Sequence, residues 1–149
     1  MATKICNKGH SNPQHCGIYT RTASTTQGDD SLIEQVQRCR EAAAEHGWVV
    51  EENYVRHEVT SSGASLHNLH GLNSLIDDAK SKPRPYDILV VDDTTRLGRD
   101  LGIVLRVIGE LNRNGVSIHF VAQKCDSRHP SFQELLTPHE MVEVPYIPQ

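Results

Sequence analysis

The sequence has no long hydrophobic run and no strong excess of either charge. No apolar segment approaches the roughly 18–20 residues that a membrane-spanning helix needs, and the first residues lack the apolar stretch of a signal peptide. A net charge of −4 excludes a wholly basic nucleic-acid-binding chain but allows a local basic patch. Aromatic residues make up only 5% of the 149 residues, yet a hydrophobic content of 37% suffices for the core of one domain.

Disulfide-dense architecture is also excluded, because four cysteines are scattered through the chain at positions 6, 16, 39 and 125. Together with the missing export signal, this spacing predicts a protein of the reducing cytoplasm with no membrane partner. Nine histidines are more than usual for this length.

Apolar periodicity predicts alternating strands and helices. Strands are expected at 17–21, 49–55, 86–91 and 116–122, and helices at about 29–46, 69–79 and 100–113. Strands that alternate with helices predict an α/β fold, a three-layer sandwich around a mainly parallel sheet of four or five strands. We expect an irregular N-terminal arm over 1–16, one domain over 17–126 and a Pro-rich C-terminal tail over 127–149.

Local signals refine these elements. Asp29 or Asp30 is expected to cap the first helix, and Gly47 to end it. The apolar stripe of that helix is predicted to bury Leu32, Ile33, Val36, Cys39, Ala43 and Ala44. Residues 56–70 are predicted to form a long polar loop.

Two predicted loops follow strand ends and carry Arg21, Arg96 and Arg99 among Ser and Thr hydroxyls. Ligands of open parallel sheets bind beyond the carboxyl ends of the strands. Arginine donates two parallel hydrogen bonds, which suits phosphate. The pattern therefore indicates a site for an oxyanion. An alternative is that these arginines pair on the surface with Asp92, Asp93 and Asp100.

Four motifs, in register, carry a family resemblance. The chain resembles the catalytic domain of serine recombinases, the resolvase/invertase family, over residues 17 to about 126. The motifs are Tyr19-x-Arg21 with Ser24-Thr25-x-Gln27, Ser31-Leu32-Ile33-Glu34-Gln35, Ser62-Gly63-Ala64-Ser65-Leu66 and Arg96-Leu97-Gly98-Arg99-Asp100. The resemblance implies a resolvase-like fold and, without metal or other cofactor, attack of a Ser hydroxyl on a DNA phosphodiester. That attack forms a 5′-phosphoserine link and releases a 3′-hydroxyl; the 3′-hydroxyl of the partner strand later reverses the step.

The resemblance also assigns site residues. Arg21, Arg96 and Arg99 match the positions that clamp the phosphate and stabilise the charge developing on its oxygens. Tyr19 and Ser62 complete the expected DNA phosphate-binding set.

Departures from the family pattern lie at the catalytic positions. Ala23 stands where the family has its nucleophilic Ser, and Thr95 stands where it has Asp. Asn68 lies near the position of a family Arg, while Glu58 is available in place of a nearby family Asp. No long dimerisation helix or helix-turn-helix pattern follows Cys125.

These departures favour a catalytically silent, regulatory or interaction domain linked to site-specific DNA recombination. Its expected partners are DNA, directly or through an active recombinase, and further copies in a homo- or hetero-oligomer. An active strand-exchange enzyme is the alternative, with Ser24 as nucleophile and Arg21, Arg96 and Arg99 on the phosphate.

A second alternative is a zinc-stabilised accessory module. Cys6, His10, His15 and Cys16 are four possible zinc ligands, although their spacing matches no common zinc finger. His57, His67 and His70 are expected to be solvent-exposed loop residues, and His119 a structural residue in a strand.

Overall fold

Strands and helices alternate along the chain. The computed structural model describes residues 13–22, 28–59, 69–97 and 101–127, so predictions for residues before 13 and after 127 lie outside the described residues. The strands are β1 (His15–Thr22), β2 (Val49–Val59), β3 (Ile88–Val91), β4 (Ser117–Phe120) and β5 (Cys125–Asp126). The helices are α1 (Gly28–His46), α2 (His70–Ala79) and α3 (Leu101–Arg113), with a 3₁₀ turn over Thr94–Arg96.

One sheet organises the domain, in the order β2-β1-β3-β4-β5. The first three pairings are parallel, and β5 runs antiparallel to β4. The predicted α/β fold with a mainly parallel sheet is confirmed. The sequence did not predict β5, in which Phe120 pairs with Cys125 and His119 with Asp126. Just beyond it, the Ser127 hydroxyl accepts a hydrogen bond from the Ile118 amide at 2.9 Å.

The two faces of β3 define the three layers, because successive side chains of a strand point to opposite faces. Ile88 and Val90 pack with Cys39 and Ala43 of α1. Leu89 and Val91 belong to the larger core that α2 and α3 cover. This larger core buries Leu69, which precedes α2, the α2 residues Leu72, Leu75, Ile76 and Ala79, and the α3 residues Val104, Val107, Ile108 and Leu111.

The buried face of α1 differs from the predicted stripe. Ile33 is 65% exposed, whereas Gln35 is fully buried. The reason is that the Gln35 amide makes hydrogen bonds to the β1 backbone. Ile33 instead lines an open apolar cavity of about 450 Å³ together with Leu32, Val36, Gln37 and His57.

The end of β2 also corrects the sequence prediction. Residues 56–59 were expected in a loop, but Arg56–Val59 pair in parallel with Tyr19–Thr22 of β1. The register shifts between Cys16 and Ile18 of β1, so β2 bulges there. Gly17 permits this bulge, because a Cβ at Gly17 would lie 2.8 Å from the Tyr54 carbonyl oxygen.

Glycines end two of the helices, and Gly47 ends α1 as expected. Gly47 follows α1 with φ +75° and Gly115 follows α3 with φ +85°, a conformation that favours glycine. Helix α1 begins at Gly28, so Asp29 and Asp30 lie inside its first turn rather than at the cap. In the part of the chain that the structure describes, no helix is long and apolar enough to cross a membrane.

A small aromatic cluster joins the end of α1 to β4. The Trp48 ring stacks on His46 with centroids 4.3 Å apart, and His119 packs against both rings at 5.3 and 4.9 Å. His119 is buried, as a structural histidine of a strand should be. Burial lowers the pKa of His119, and the neighbouring His46 adds to the effect.

Candidate functional site: an arginine rim

The register of the central strands brings the two predicted arginine segments together. Tyr19 of β1 lies beside Val91 of β3, so both strands end at the same edge of the sheet. Arg21 lies near the end of β1, and Arg96 lies in the 3₁₀ turn that follows β3. We call this edge, with Arg21 and Arg96, the arginine rim.

The two arginines of the rim hold each other's main chain. Arg21 donates from Nε to the Arg96 carbonyl at 2.9 Å and from an Nη to the Thr95 carbonyl at 2.6 Å. Arg96 donates from an Nη to the Arg21 carbonyl at 3.2 Å. Each guanidinium group is therefore fixed against the main chain of the other arginine, which lies 75 positions away in the sequence.

Asp92 and Asp93, two of the three carboxylates of the surface alternative, bond to residues other than Arg96, and the third, Asp100, lies outside the described residues. Among the described residues Arg96 makes no ion pair, and its buried Nε has no hydrogen-bond partner there. Asp93 accepts instead from the Thr95 amide at 2.7 Å and from the Thr95 hydroxyl.

Gln35 of α1 fixes the Arg21 backbone from the opposite layer. Its Oε1 accepts from the Arg21 amide at 3.1 Å, and its Nε2 donates to the Arg21 carbonyl at 2.8 Å. The fully buried Gln35 side chain thus pairs with Arg21 as a neighbouring strand would. Sequence reasoning placed Gln35 in a family motif but missed this contact.

Asp92 is paired with an arginine that the sequence analysis did not select. Arg38 of α1 donates from Nε to Oδ1 and from an Nη to Oδ2 of Asp92, each at 2.7 Å. Asp92 is only 4% exposed. Bidentate pairs of this kind are among the stronger charge-assisted contacts, and the bond to Asp92 raises the pKa of Arg38.

Beneath the rim, Tyr19 and Glu58 link three elements. The Tyr19 hydroxyl donates to Glu58 Oε1, and the Gly71 amide of α2 donates to Glu58 Oε2 at 2.7 Å. Tyr19 is fully buried, and burial with the bond to Glu58 raises its pKa. In this structure the Tyr19 hydroxyl is engaged with Glu58, and its contact with a phosphate stays a prediction.

The remaining predicted site residues divide into two groups. Ala23, Ser24, Ser62, Asn68 and Arg99 lie outside the described residues, so their roles stay predictions. The histidines near the Ser-Gly motif include His67, also outside, and His70, an exposed residue that begins α2. His57 is exposed but belongs to β2 rather than a loop, and its Nδ1 lies 2.9 Å from the Thr20 hydroxyl.

The predicted zinc ligands His15 and Cys16 have other partners. His15 Nδ1 bonds to Glu51, while Cys16 is buried in the core against α1. Adjacent residues of a strand point to opposite faces, and burial raises the pKa of Cys16 to about 12. Within the described ranges no group of three or more candidate ligands is suitably placed for a metal; Cys6 and His10 fall outside them.

Comparison with known proteins defines the class of domain. A family model described as the resolvase N-terminal domain matches residues 16–143. The chain therefore belongs to the resolvase family of serine recombinase N-terminal domains. No curated protein matches the sequence significantly.

Solved structures agree on the fold. The catalytic domain of TP901-1 integrase is 24% identical, with a TM-score of 0.70 over 83% of this chain and 89% of that one. A resolvase family site-specific recombinase from Streptococcus pneumoniae is 21% identical, with a TM-score of 0.69 over 87% of each chain. The catalytic domain of IS1535 TnpA, an IS607-like serine recombinase, is 25% identical, with a TM-score of 0.54 over 71% of this chain and 70% of that one.

Proposed function

We propose that this domain holds a DNA phosphate at the arginine rim without cutting the strand, and acts as a regulatory or interaction protein in site-specific recombination. The mutual bonding of Arg21 and Arg96 carries the proposal, because it holds two cationic side chains in fixed positions at one edge of the sheet. Preorganised guanidinium groups stabilise phosphoryl oxygens without having to rearrange. Arg99 and Ser62 would complete the phosphate site, by their match to the family motifs.

Catalytic silence follows from side-chain chemistry. The Ala23 methyl group has no lone pair with which to attack phosphorus, and the Thr95 hydroxyl cannot carry the negative charge of the family Asp. In this protein the Thr95 hydroxyl donates to Asp93. We therefore expect phosphate binding without a phosphoserine intermediate.

An assay for covalent protein–DNA adducts tests whether the domain is catalytically silent. The protein is incubated with a pool of labelled duplexes of random sequence, quenched with detergent and resolved on a denaturing gel. We expect no shifted band from the wild type. An adduct that forms with the wild type and disappears with Ser24→Ala would overturn silence and establish Ser24 as the nucleophile of a strand-exchange enzyme.

DNA affinity tests the rim itself. Because the 149 residues carry a net charge of −4, we expect them to bind duplex DNA weakly, with a Kd no tighter than about 1 μM at physiological salt. We expect Arg21→Gln and Arg96→Gln each to weaken binding and to lower the salt dependence by about one charge. Arg113→Gln is the matched control, because Arg113 is exposed on α3 and pairs with Glu110. Equal affinities for all three variants would refute the phosphate site.

The partner is expected to be DNA, bound directly or through an active recombinase, with self-association or association with that recombinase in the cytoplasm. Co-sedimentation with a catalytically competent family member on DNA is the corresponding measurement. Stoichiometric zinc in the purified protein, with loss of order on chelation, would instead favour the zinc-stabilised module.

A further inference from the structure

Asp92 places a carboxylate at the edge of the sheet that carries the arginine rim. It follows Val91, the last residue of β3, and Val91 pairs with Tyr19 of β1, two residues before Arg21. Asp92 is 4% exposed, so water screens its charge poorly. A bare carboxylate in this position would oppose the binding of a phosphate at the arginine rim.

Arg38 occupies both oxygens of that carboxylate. The two 2.7 Å bonds cancel the charge of Asp92 locally, while the Arg38 side chain remains 46% exposed. Arg38 lies three residues after Gln35 on α1, on neighbouring turns of the helix. Helix α1 thus contacts this edge of the sheet at two places: Gln35 bonds to the Arg21 backbone, and Arg38 bonds to Asp92.

We propose that Arg38 is a positioning residue which neutralises Asp92 and thereby sets the affinity of the arginine rim for a DNA phosphate. The proposal rests on the proposed phosphate-binding function. Arg38 does not itself contact the phosphate. Its effect is electrostatic, because it removes an opposing charge from a poorly solvated edge.

The same helix supplies a matched comparison pair. Arg40 donates two bonds to Glu52, at 2.7 and 2.9 Å. Glu52 is exposed, and it lies in the first half of β2, away from the carboxyl ends of the strands. The Arg38–Asp92 and Arg40–Glu52 pairs have the same bidentate geometry, and both arginines lie on α1. They differ in the burial of the carboxylate and in its distance along the strands from the arginine rim.

A double-mutant cycle on the 149-residue chain tests the proposal. The variants are Arg38→Gln, Asp92→Asn and the double variant, and the matching set is Arg40→Gln, Glu52→Gln and their double variant. Affinity for a fluorescein-labelled duplex of random sequence is measured by anisotropy at fixed salt. Thermal unfolding of each variant is recorded in the same buffer.

We expect Arg38→Gln to weaken DNA binding by about 3- to 10-fold, because the Asp92 carboxylate is left without the partner that it contacts. Asp92→Asn should bind as well as the wild type or better. The double variant should return to within about twofold of the wild type, because the opposing charge is gone with its partner. Arg40→Gln should change affinity by less than about twofold.

Two results would overturn the proposal. One is a double variant as weak as Arg38→Gln, which would mean that Arg38 contacts the DNA or only supports the fold. The other is equal loss in Arg38→Gln and Arg40→Gln. If Arg38→Gln does not fold, Asp92→Asn alone decides, since affinity below that of the wild type contradicts an opposing charge. Failure of the proposed function is separate: it appears as unchanged affinity in Arg21→Gln and Arg96→Gln.

Discussion

Replacing Gln35 with Met tests how the rim is held. The substitution keeps the length of the side chain but removes the acceptor for the Arg21 amide and the donor to the Arg21 carbonyl. The carbonyl keeps its bond from Arg96. The amide loses its Gln35 acceptor in a buried setting, which costs about 1–3 kcal/mol, and the second lost bond adds about 1 kcal/mol.

The expected loss of unfolding free energy is therefore about 2–4 kcal/mol, or a fall in Tm of about 4–16 °C for a domain of this size. Urea unfolding followed by circular dichroism measures the free energy, and calorimetry measures Tm. Gln37→Met is the control, because Gln37 is exposed on the same helix and bonds to Glu41. Its effect should stay within about 0.5 kcal/mol. Equal stabilities of the two variants would refute the role of Gln35 in holding the Arg21 backbone.

Three further predictions follow from the core. Gly17→Ala should destabilise the domain by about 1–3 kcal/mol in urea unfolding, because its Cβ would meet the Tyr54 carbonyl at 2.8 Å; a neutral effect would contradict the close approach. The pKa of His119 is lower in the folded state than in the unfolded state, so the unfolded state binds a proton first as the pH falls. The free energy of unfolding should therefore keep its full value above about pH 6.5 and decline below it. Urea midpoints from pH 7.5 to 5 measure this decline, and His119→Asn should reduce it; an unchanged slope would exclude His119 as the source. Burial raises the pKa of Cys16 and Cys39 to about 12 each. Neither thiol should therefore react with a disulfide reagent at pH 8 faster than the domain unfolds. Mass spectrometry of the treated native protein measures the labelling, and faster labelling of either thiol would contradict this prediction.

Local patterns predicted the parts of the fold that local physics determines. The four-residue β3 strand is apolar at every position, as a strand covered on both faces must be. Gly47 and Gly115 end their helices because they adopt positive φ. Arg21 lies near the end of β1 and Arg96 in the turn after β3, and these strands are parallel neighbours, so the topology alone brings both arginines to one edge.

Contacts between distant segments were harder to predict. The apolar periodicity of α1 favoured Ile33 over Gln35 for the core. A pattern of hydropathy does not take into account a hydrogen bond from a helix side chain to the backbone of a strand. The Arg38–Asp92 pair joins residues 54 positions apart. The one available signal for Gln35 was its place four residues before the buried Cys39, which puts both on one face of α1.

The way in which the rim arginines are bonded bears on how such domains evolve. Arg21 and Arg96 each donate to main-chain carbonyls of the other's segment, so each cation also holds the backbone of the other. Selection for a stable fold would therefore retain both arginines even in a domain that does not cut DNA. In a relative that keeps this bonding, the two arginines report on folding as well as on phosphate binding, so by themselves they do not identify an active recombinase.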